Sequence, residues 1–294
     1  MSDSNTAAPG RLSHSVSLIC YGLNEEESLA DFFARAVEML EAVVSDYEVV
    51  FVDDGSTDRT WEIAQGHARA NGRIRVYRNE ENRGVAHAFK RGVALAEKEY
   101  LLWQTIDWSY DLTDLRIFLE LLEHFGVVIG VRPVPERLLS HIPLIRSIYR
   151  VRSRSDNFVR AVVSLTNYYV LRVLFGLNAH DFQNIQFHRT KVLQSFALRG
   201  ESPLLGIEMM IRARSQGLEI IEVPITFLPR TRGVSKGIRA AAIWKSCRDI
   251  AWNWLAWGWR ARLEEQDRIY RLGEPAFLKE EVIVLCAPLF KRFR

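Results

Sequence analysis

Asp53 and Asp54 stand side by side at the end of an apolar run, VVFVDDGSTDRT (49–60). Neighbouring carboxylates repel each other and resist leaving water, so N–H donors, a cation or a ligand must meet them. A carboxylate so placed can accept N–H donors from a ligand. It can equally cap a helix, as can Ser56, Thr57 or Asp58 nearby. Other β-rich stretches also lead into polar residues: Asn24 and Glu25 follow SVSLICYG (15–22), and Asp107 ends YLLWQTID (100–107). Between Gly130 and Arg172 there are eight arginines (Arg132, Arg137, Arg146, Arg150, Arg152, Arg154, Arg160 and Arg172) and only two acids, Glu136 and Asp156. Guanidinium forks suit phosphate oxygens, although a basic face in contact with water would read the same way. Arg132 ends the run VVIGVR (127–132), and PRTRGVSK (229–236) adds Arg230, Ser235 and Lys236.

These residues need elements to hold them. Strand patterns at 15–22, 47–54, 73–79 and 100–107 alternate with helical spacing at 26–44, around Trp61, Ile63 and Ala64, and at 86–99. This β-α-β-α-β-α-β order predicts an α/β fold with a doubly wound, mostly parallel sheet. Ligands bind such sheets beyond the carboxyl ends of the strands, which is where the polar residues fall. No GxGxxG follows the first strand and no GxxxxGK[ST] occurs, so dinucleotide and P-loop sites are excluded.

Composition narrows the class. Lys and Arg number 39 against 36 Asp and Glu in 294 residues, a net charge of +3 that gives no reason to expect a nucleic-acid partner. Cys20, Cys247 and Cys286 are few and far apart, which implies a reducing, cytoplasmic setting. Residues 1–14 are expected to be a flexible tail without the features of a signal peptide. No uninterrupted apolar run reaches membrane-spanning length.

Taken together, NEEE, VDDGSTD, NRGVAHAFKRGV, the strand ending in Asp107 and EVPITFLPRTRGVSKG resemble the family 2 inverting glycosyltransferases of GT-A fold. The likeness spans roughly 15–240 and is greatest to the dolichyl-phosphate mannose synthase branch, which makes polyprenyl-phosphate sugars. The resemblance implies that Asn24, Glu25, Asp53, Asp54, Arg83 and Gly84 border a nucleotide diphosphate sugar. It implies that Asp107 holds Mg²⁺ or Mn²⁺ on the diphosphate, and that Arg132, Arg230, Ser235 and Lys236 receive the acceptor phosphate. Glu208 would lie on the acceptor side as a base or a positioning carboxylate. Two departures stand out: Thr105 replaces the first Asp of the family's Asp-x-Asp, and HDFQNIQFHRTKVL (180–193) lacks its Gly-Phe-Arg.

Residues 15–236 would form the transferase domain and 237–294 an appended segment with amphipathic helices. Five of the eight tryptophans lie between Trp244 and Trp259, with Lys245, Arg248, Arg260 and Arg262 nearby, and EVIVLCAPLFKRFR (281–294) again joins apolar and basic residues. Tryptophan with lysine and arginine suits a headgroup region. Peripheral attachment to an anionic, cytoplasmic membrane face is expected, with packing on the domain or on a membrane-protein partner subunit as the competing reading. The expected activity is inverting transfer of a sugar from a nucleotide diphosphate sugar to a polyprenyl phosphate in glycan or cell-envelope biosynthesis. Transfer to another saccharide or lipid, or a catalytically degenerate nucleotide-binding scaffold, are the alternatives.

Overall fold

The computed structural model describes residues 10–131, 170, 172–176, 179, 184–201, 204–228, 240–260, 269–272 and 278–293. Arg132, Arg230, Ser235 and Lys236 lie outside them, as do the central arginines other than Arg172. An eight-stranded sheet in the order β3-β2-β1-β4-β6-β5-β7-β8 organises the chain. Its strands are β1 (Leu12–Gly22), β2 (Val44–Asp53), β3 (Ile74–Arg78), β4 (Tyr100–Trp103), β5 (Val127–Val131), β6 (Gln186–Arg189), β7 (Ile220–Pro224) and β8 (Ile269–Arg271). Every pairing is parallel except those of β6 with β4 and β5. The mostly parallel α/β sheet expected from the sequence is therefore what forms. Because only β6 is reversed, β1, β2, β4, β5 and β7 all end on one edge.

Alternation along the strands sends side chains to two cores, since successive residues point to opposite faces. Leu18, Cys20, Phe51 and Leu102 enter one, packed against α1 (Leu29–Val43), α2 (Thr60–Ala70) and α4 (Leu115–His124). Ile19, Leu101, Trp103 and Ile129 enter the other, beneath α3 (Val85–Leu95), α5 (Thr190–Ser195), α6 (Leu204–Ser215) and α7 (Ala240–Asn253). Helix α3 sits so close to β1 that a Cβ on Gly92 would come 2.5 Å from Ile19 Cγ2. His188 faces this second core, where burial pushes its imidazole down to about 3, so it stays neutral and structural.

Both ends of the chain differ from expectation. The strand begins at Leu12, inside the supposed tail of 1–14, because Leu12 pairs with Val44 and the His14 ring is hydrogen-bonded to Glu99 and Glu123 at 3.0 and 2.8 Å. The segment after 237 is not set apart from the domain, since its β8 extends the sheet beside β7. Val282 of α8 (Glu280–Leu285), Cys286, and Leu289 of α9 (Ala287–Phe293) are buried in the first core. Arg292 forks onto Asp114 at the start of α4 at 2.5 and 3.0 Å. A packed amphipathic helix and a bilayer-facing one share the same periodicity, so the pattern alone did not separate them.

Among the described residues no helix is long and apolar enough to cross a membrane. Helix α7 continues through a π-helical turn (Trp254–Gly258) and divides its tryptophans. Trp254 and Trp257 turn inward, their indole N–H groups donating to the Leu174 carbonyl and Asn253 Oδ1. Trp244, Trp252, Leu255 and Trp259 turn outward at 74, 72, 64 and 42 % exposure, at helical spacing and with exposed Arg248 and Arg260 beside them.

Candidate active site

The three loops that leave β1, β2 and β4 meet at the carboxyl edge. The first two are laced together. The amide of Asn24 donates to Ser56 Oγ at 2.9 Å, that of Glu25 to Thr60 Oγ1 at 2.8 Å, and Asn24 Oδ1 accepts the Thr57 amide at 2.9 Å. Asn24 carries this exchange with φ at 57°, a left-handed conformation that asparagine tolerates. Asp58 Oδ1 accepts the Thr60 amide at 3.0 Å, so one of the three expected residues does serve the start of α2.

Asp53 and Asp54 are met from within the protein. Asp53 is wholly buried; its Oδ1 accepts the Ser56 amide at 3.0 Å, and Arg78 Nε lies 3.2 Å from Oδ2. That second contact is an ion pair by distance but lacks the angle of a hydrogen bond, so we take it as charge compensation only. Asp54, 5 % exposed, clamps the next loop. Its Oδ1 accepts Asn79 Nδ2 at 2.7 Å and the Arg83 amide at 3.1 Å, and its Oδ2 accepts the Gly84 amide at 2.8 Å. Arg91 reaches the same group through Asn79 Oδ1. Like charges are thus tolerated because each carboxylate has separate N–H donors and a cation close by. Arg78, Asn79 and Arg91 were missed in the sequence because they come from β3 and α3, and only sheet register (Asp53 opposite Arg78) brings them here.

Gly55 makes this arrangement possible. Its φ is +81°, and a Cβ there would fall 2.8 Å from the Glu81 carbonyl carbon and 2.9 Å from the Asn82 nitrogen. Only glycine combines that conformation with so close a backbone approach. The Arg83 side chain is left exposed at the rim, 3.6 Å from Glu81.

The Asp107 loop is stapled by Gln104. This buried amide donates to the Tyr110 carbonyl at 2.7 Å and accepts the Thr105 amide at 3.0 Å. Thr105, where the family pattern has a carboxylate, uses its hydroxyl to accept the Ser109 amide at 3.0 Å. The Thr105 hydroxyl thus helps hold the turn without a charge. Asp107 is half-buried and accepts Ser109 Oγ at 2.6 Å. The strand end after β7 runs alongside: the Asp111 amide donates to the Thr226 carbonyl and the Leu228 amide to the Ser109 carbonyl, both at 3.0 Å. Leu228 precedes Arg230 by two residues, and Val131 at the end of β5 immediately precedes Arg132.

No group of three or more His, Cys, Asp or Glu able to hold a metal occurs among the described residues. The donor set at Asp107 is one carboxylate backed by hydroxyls. It fits a hard cation that takes its remaining oxygens from a diphosphate and water, and does not fit one held by protein alone.

Glu208, expected on the acceptor side, is fully buried on α6. Its oxygens accept the Arg199 amide at 2.9 Å, the Gly200 amide at 2.7 Å and the Arg212 guanidinium at 3.1 Å.

A model of glycosyl transferase family 2 matches residues 15–175. The chain is 30% identical over 251 residues to the undecaprenyl-phosphate mannosyltransferase of Micrococcus luteus, covering 82% of this chain and 95% of that one. It is 28% identical over 244 residues to the dolichol-phosphate mannosyltransferase of Pyrococcus furiosus, covering 80% of this chain but only 62% of the archaeal protein's length. Among solved structures, glucosyl-3-phosphoglycerate synthase from Mycobacterium tuberculosis in complex with UDP aligns with a TM-score of 0.54 at 17% identity, over 86% of this chain and 82% of that one. At that identity the likeness speaks for the fold.

Proposed function

The chain belongs to glycosyl transferase family 2, and from that membership we propose that it transfers a sugar from a nucleotide diphosphate sugar to a polyprenyl phosphate, inverting the anomeric configuration. One observation carries this reading. The loop bearing Asp107, a carboxylate suited to a diphosphate-bound cation, is hydrogen-bonded to the 226–228 segment, which leads in sequence to Arg230, Ser235 and Lys236. The names of the two mannosyltransferase relatives supply the acceptor class.

The reaction is a single displacement. A phosphate oxygen of the acceptor attacks the anomeric carbon, the bond to the nucleoside diphosphate breaks, and the diphosphate departs with the electron pair. A phosphate monoester has its second pKa near 6 and is largely ionised at pH 7, so no base has to deprotonate it. What the site must provide is alignment and positive charge between two anions. Arg132, Arg230 and Lys236 are the residues assigned to that task, with Ser235 as a hydrogen-bond donor to phosphate. A bound Mg²⁺ or Mn²⁺ would offset charge developing on the leaving diphosphate, with Asp107 as its protein ligand. Asp53 and Asp54, being buried and already hydrogen-bonded, act by shaping the nucleotide edge rather than by gripping base and ribose outright. Asp54 sets the Asn82–Gly84 loop, and Asn24, Glu25 and Arg83 border the nucleotide.

Thermal unfolding with UDP, GDP, CDP and dTDP, each with and without Mg²⁺, tests the donor reading. A ligand at 100 times its Kd stabilises by about 2.7 kcal/mol, roughly 4–5 °C for a chain of this size. One nucleotide is expected to give a metal-dependent shift. The reading fails if none does.

The outward face of Trp244, Trp252, Leu255 and Trp259, with Arg248 and Arg260, supports seating on an anionic bilayer where the lipid acceptor resides. Sedimentation with phosphatidylglycerol vesicles is expected to retain the protein and to lose at least half of it on Trp252→Ser/Trp259→Ser. Unchanged retention would instead point to a partner subunit as the occupant of this face.

A further inference from the structure

The loop that carries Asp107 runs from the end of β4 to Asp114, the residue before α4. Gln104 and Thr105 hold its start. Its middle lies against the strand end after β7, where Tyr110 and Phe227 form an antiparallel bridge and their rings meet edge to face at 5.0 Å. Its end is held by the far terminus of the chain: Arg292 of α9, 178 positions later, donates to both oxygens of Asp114 at 2.5 and 3.0 Å. An aspartate at the N-cap of a helix ordinarily accepts a first-turn N–H, yet Asp114 makes no such side-chain bond. Its side chain is only 12 % exposed. Burial and the nearby Asp111 both work against its charge, and Arg292 offsets them. The helices that deliver Arg292 are seated on the same ground, since Leu112 and Leu115 share one buried core with Val282, Cys286 and Leu289.

We propose that α8 and α9 form a strap on the Asp107 loop, with Arg292 a positioning residue that acts through Asp114. Without the guanidinium, Asp114 would turn to the first-turn N–H groups of α4, its ordinary partners at this position. The helix would gain a cap while the loop lost its tie to the C-terminal segment. Stability would therefore change little, and the aim of Asp107 would change more. The effect on turnover rests on the transferase reading, whereas the effect on the loop does not.

Arg292→Gln, Asp114→Asn and the double variant, each in the full chain, test this. Both single changes leave a residue able to cap α4, so Tm is expected to fall by about 2 °C at most. Hydrogen exchange reads the strap without any ligand. The Asp111 and Leu228 amides, bonded to the Thr226 and Ser109 carbonyls, are expected to exchange severalfold faster in both single variants, while those of buried Leu101 and Leu102 in β4 hold. In turnover, the Mg²⁺ needed for half-maximal rate is expected to rise by about fivefold, with kcat at saturating metal changed less. The double variant should be no worse than either single one, because both changes remove the same contact. Unchanged exchange in both single variants would overturn the strap, as would losses that add in the double variant. Faster exchange with an unchanged metal requirement would overturn the positioning role. A wild type that turns over no nucleotide sugar would overturn the transferase reading and that role together, and exchange would still decide the strap.

Discussion

Asp107→Ala is expected to lower kcat by about 10²–10³-fold, the usual cost of removing one preorganised electrostatic contact from a transition state. The protein should remain folded. Asp107 is only half-buried, and its hydrogen bond from Ser109 is replaceable, since that hydroxyl can turn to water. The loop's shape depends on other groups, Gln104 and Thr105, whose bonds to Tyr110, to the Thr105 amide and to the Ser109 amide remain. Turnover measured against metal concentration separates the roles. If Asp107 is the protein's ligand to a diphosphate-bound cation, the alanine variant needs far more Mg²⁺ or Mn²⁺ and does not recover fully. Thr105→Asp should act in the opposite sense. An aspartate at that position can still accept the Ser109 amide, and it supplies the second carboxylate that the family pattern holds, so half-saturation by metal should fall severalfold. Full metal-dependent turnover by Asp107→Ala would exclude this residue from the chemistry. A wild type without turnover on any nucleotide sugar would favour the scaffold reading that Thr105 first suggested.

The polar strand ends and the C-terminal helices were not equally legible in the sequence. VDDGSTD and NRG announce a polar strand end and a glycine turn by residue type alone, and both turn out to be one unit, because Asp54 holds the Arg83 and Gly84 amides. Local spacing therefore found both halves of that unit. What it could not supply were contacts made across the sheet. Arg78 and Asn79 read as an ordinary strand end, and only the pairing of β2 with β3 sets Arg78 beside Asp53. The role of Thr105 was likewise invisible: a missing carboxylate looks like a defect until its hydroxyl is seen holding the turn. At the C-terminus, helical periodicity found amphipathic segments but not their partners. Tertiary packing then took Val282, Cys286 and Leu289 into the core and left Trp252 and Trp259 outside.

Glu208 puts the same distinction to an energetic test. The family resemblance left it as a base or a positioning carboxylate, and its surroundings favour the second. It is completely buried, and both oxygens already accept hydrogen bonds from the Arg199 and Gly200 amides and from Arg212. The 199–200 turn has no slack either, since a Cβ on Gly200 would lie 3.2 Å from Glu208 Oε2. Glu208→Ala strands two backbone donors and leaves Arg212, stacked 5.5 Å from the Trp257 ring centroid, without the partner seen here. Breaking such a buried pair from one side costs about 3–5 kcal/mol, expected as a fall in Tm of roughly 5–8 °C. Glu208→Gln keeps the shape and part of the acceptor capacity, so its Tm should fall by less. A catalytic base would behave the other way round: the isosteric glutamine would abolish kcat while Tm held. The measurement is therefore Tm and kcat on both variants. The positioning role requires Glu208→Gln, at a temperature where it is folded, to keep kcat within about tenfold of wild type, because an acceptor phosphate that is already ionised has no proton for Glu208 to take.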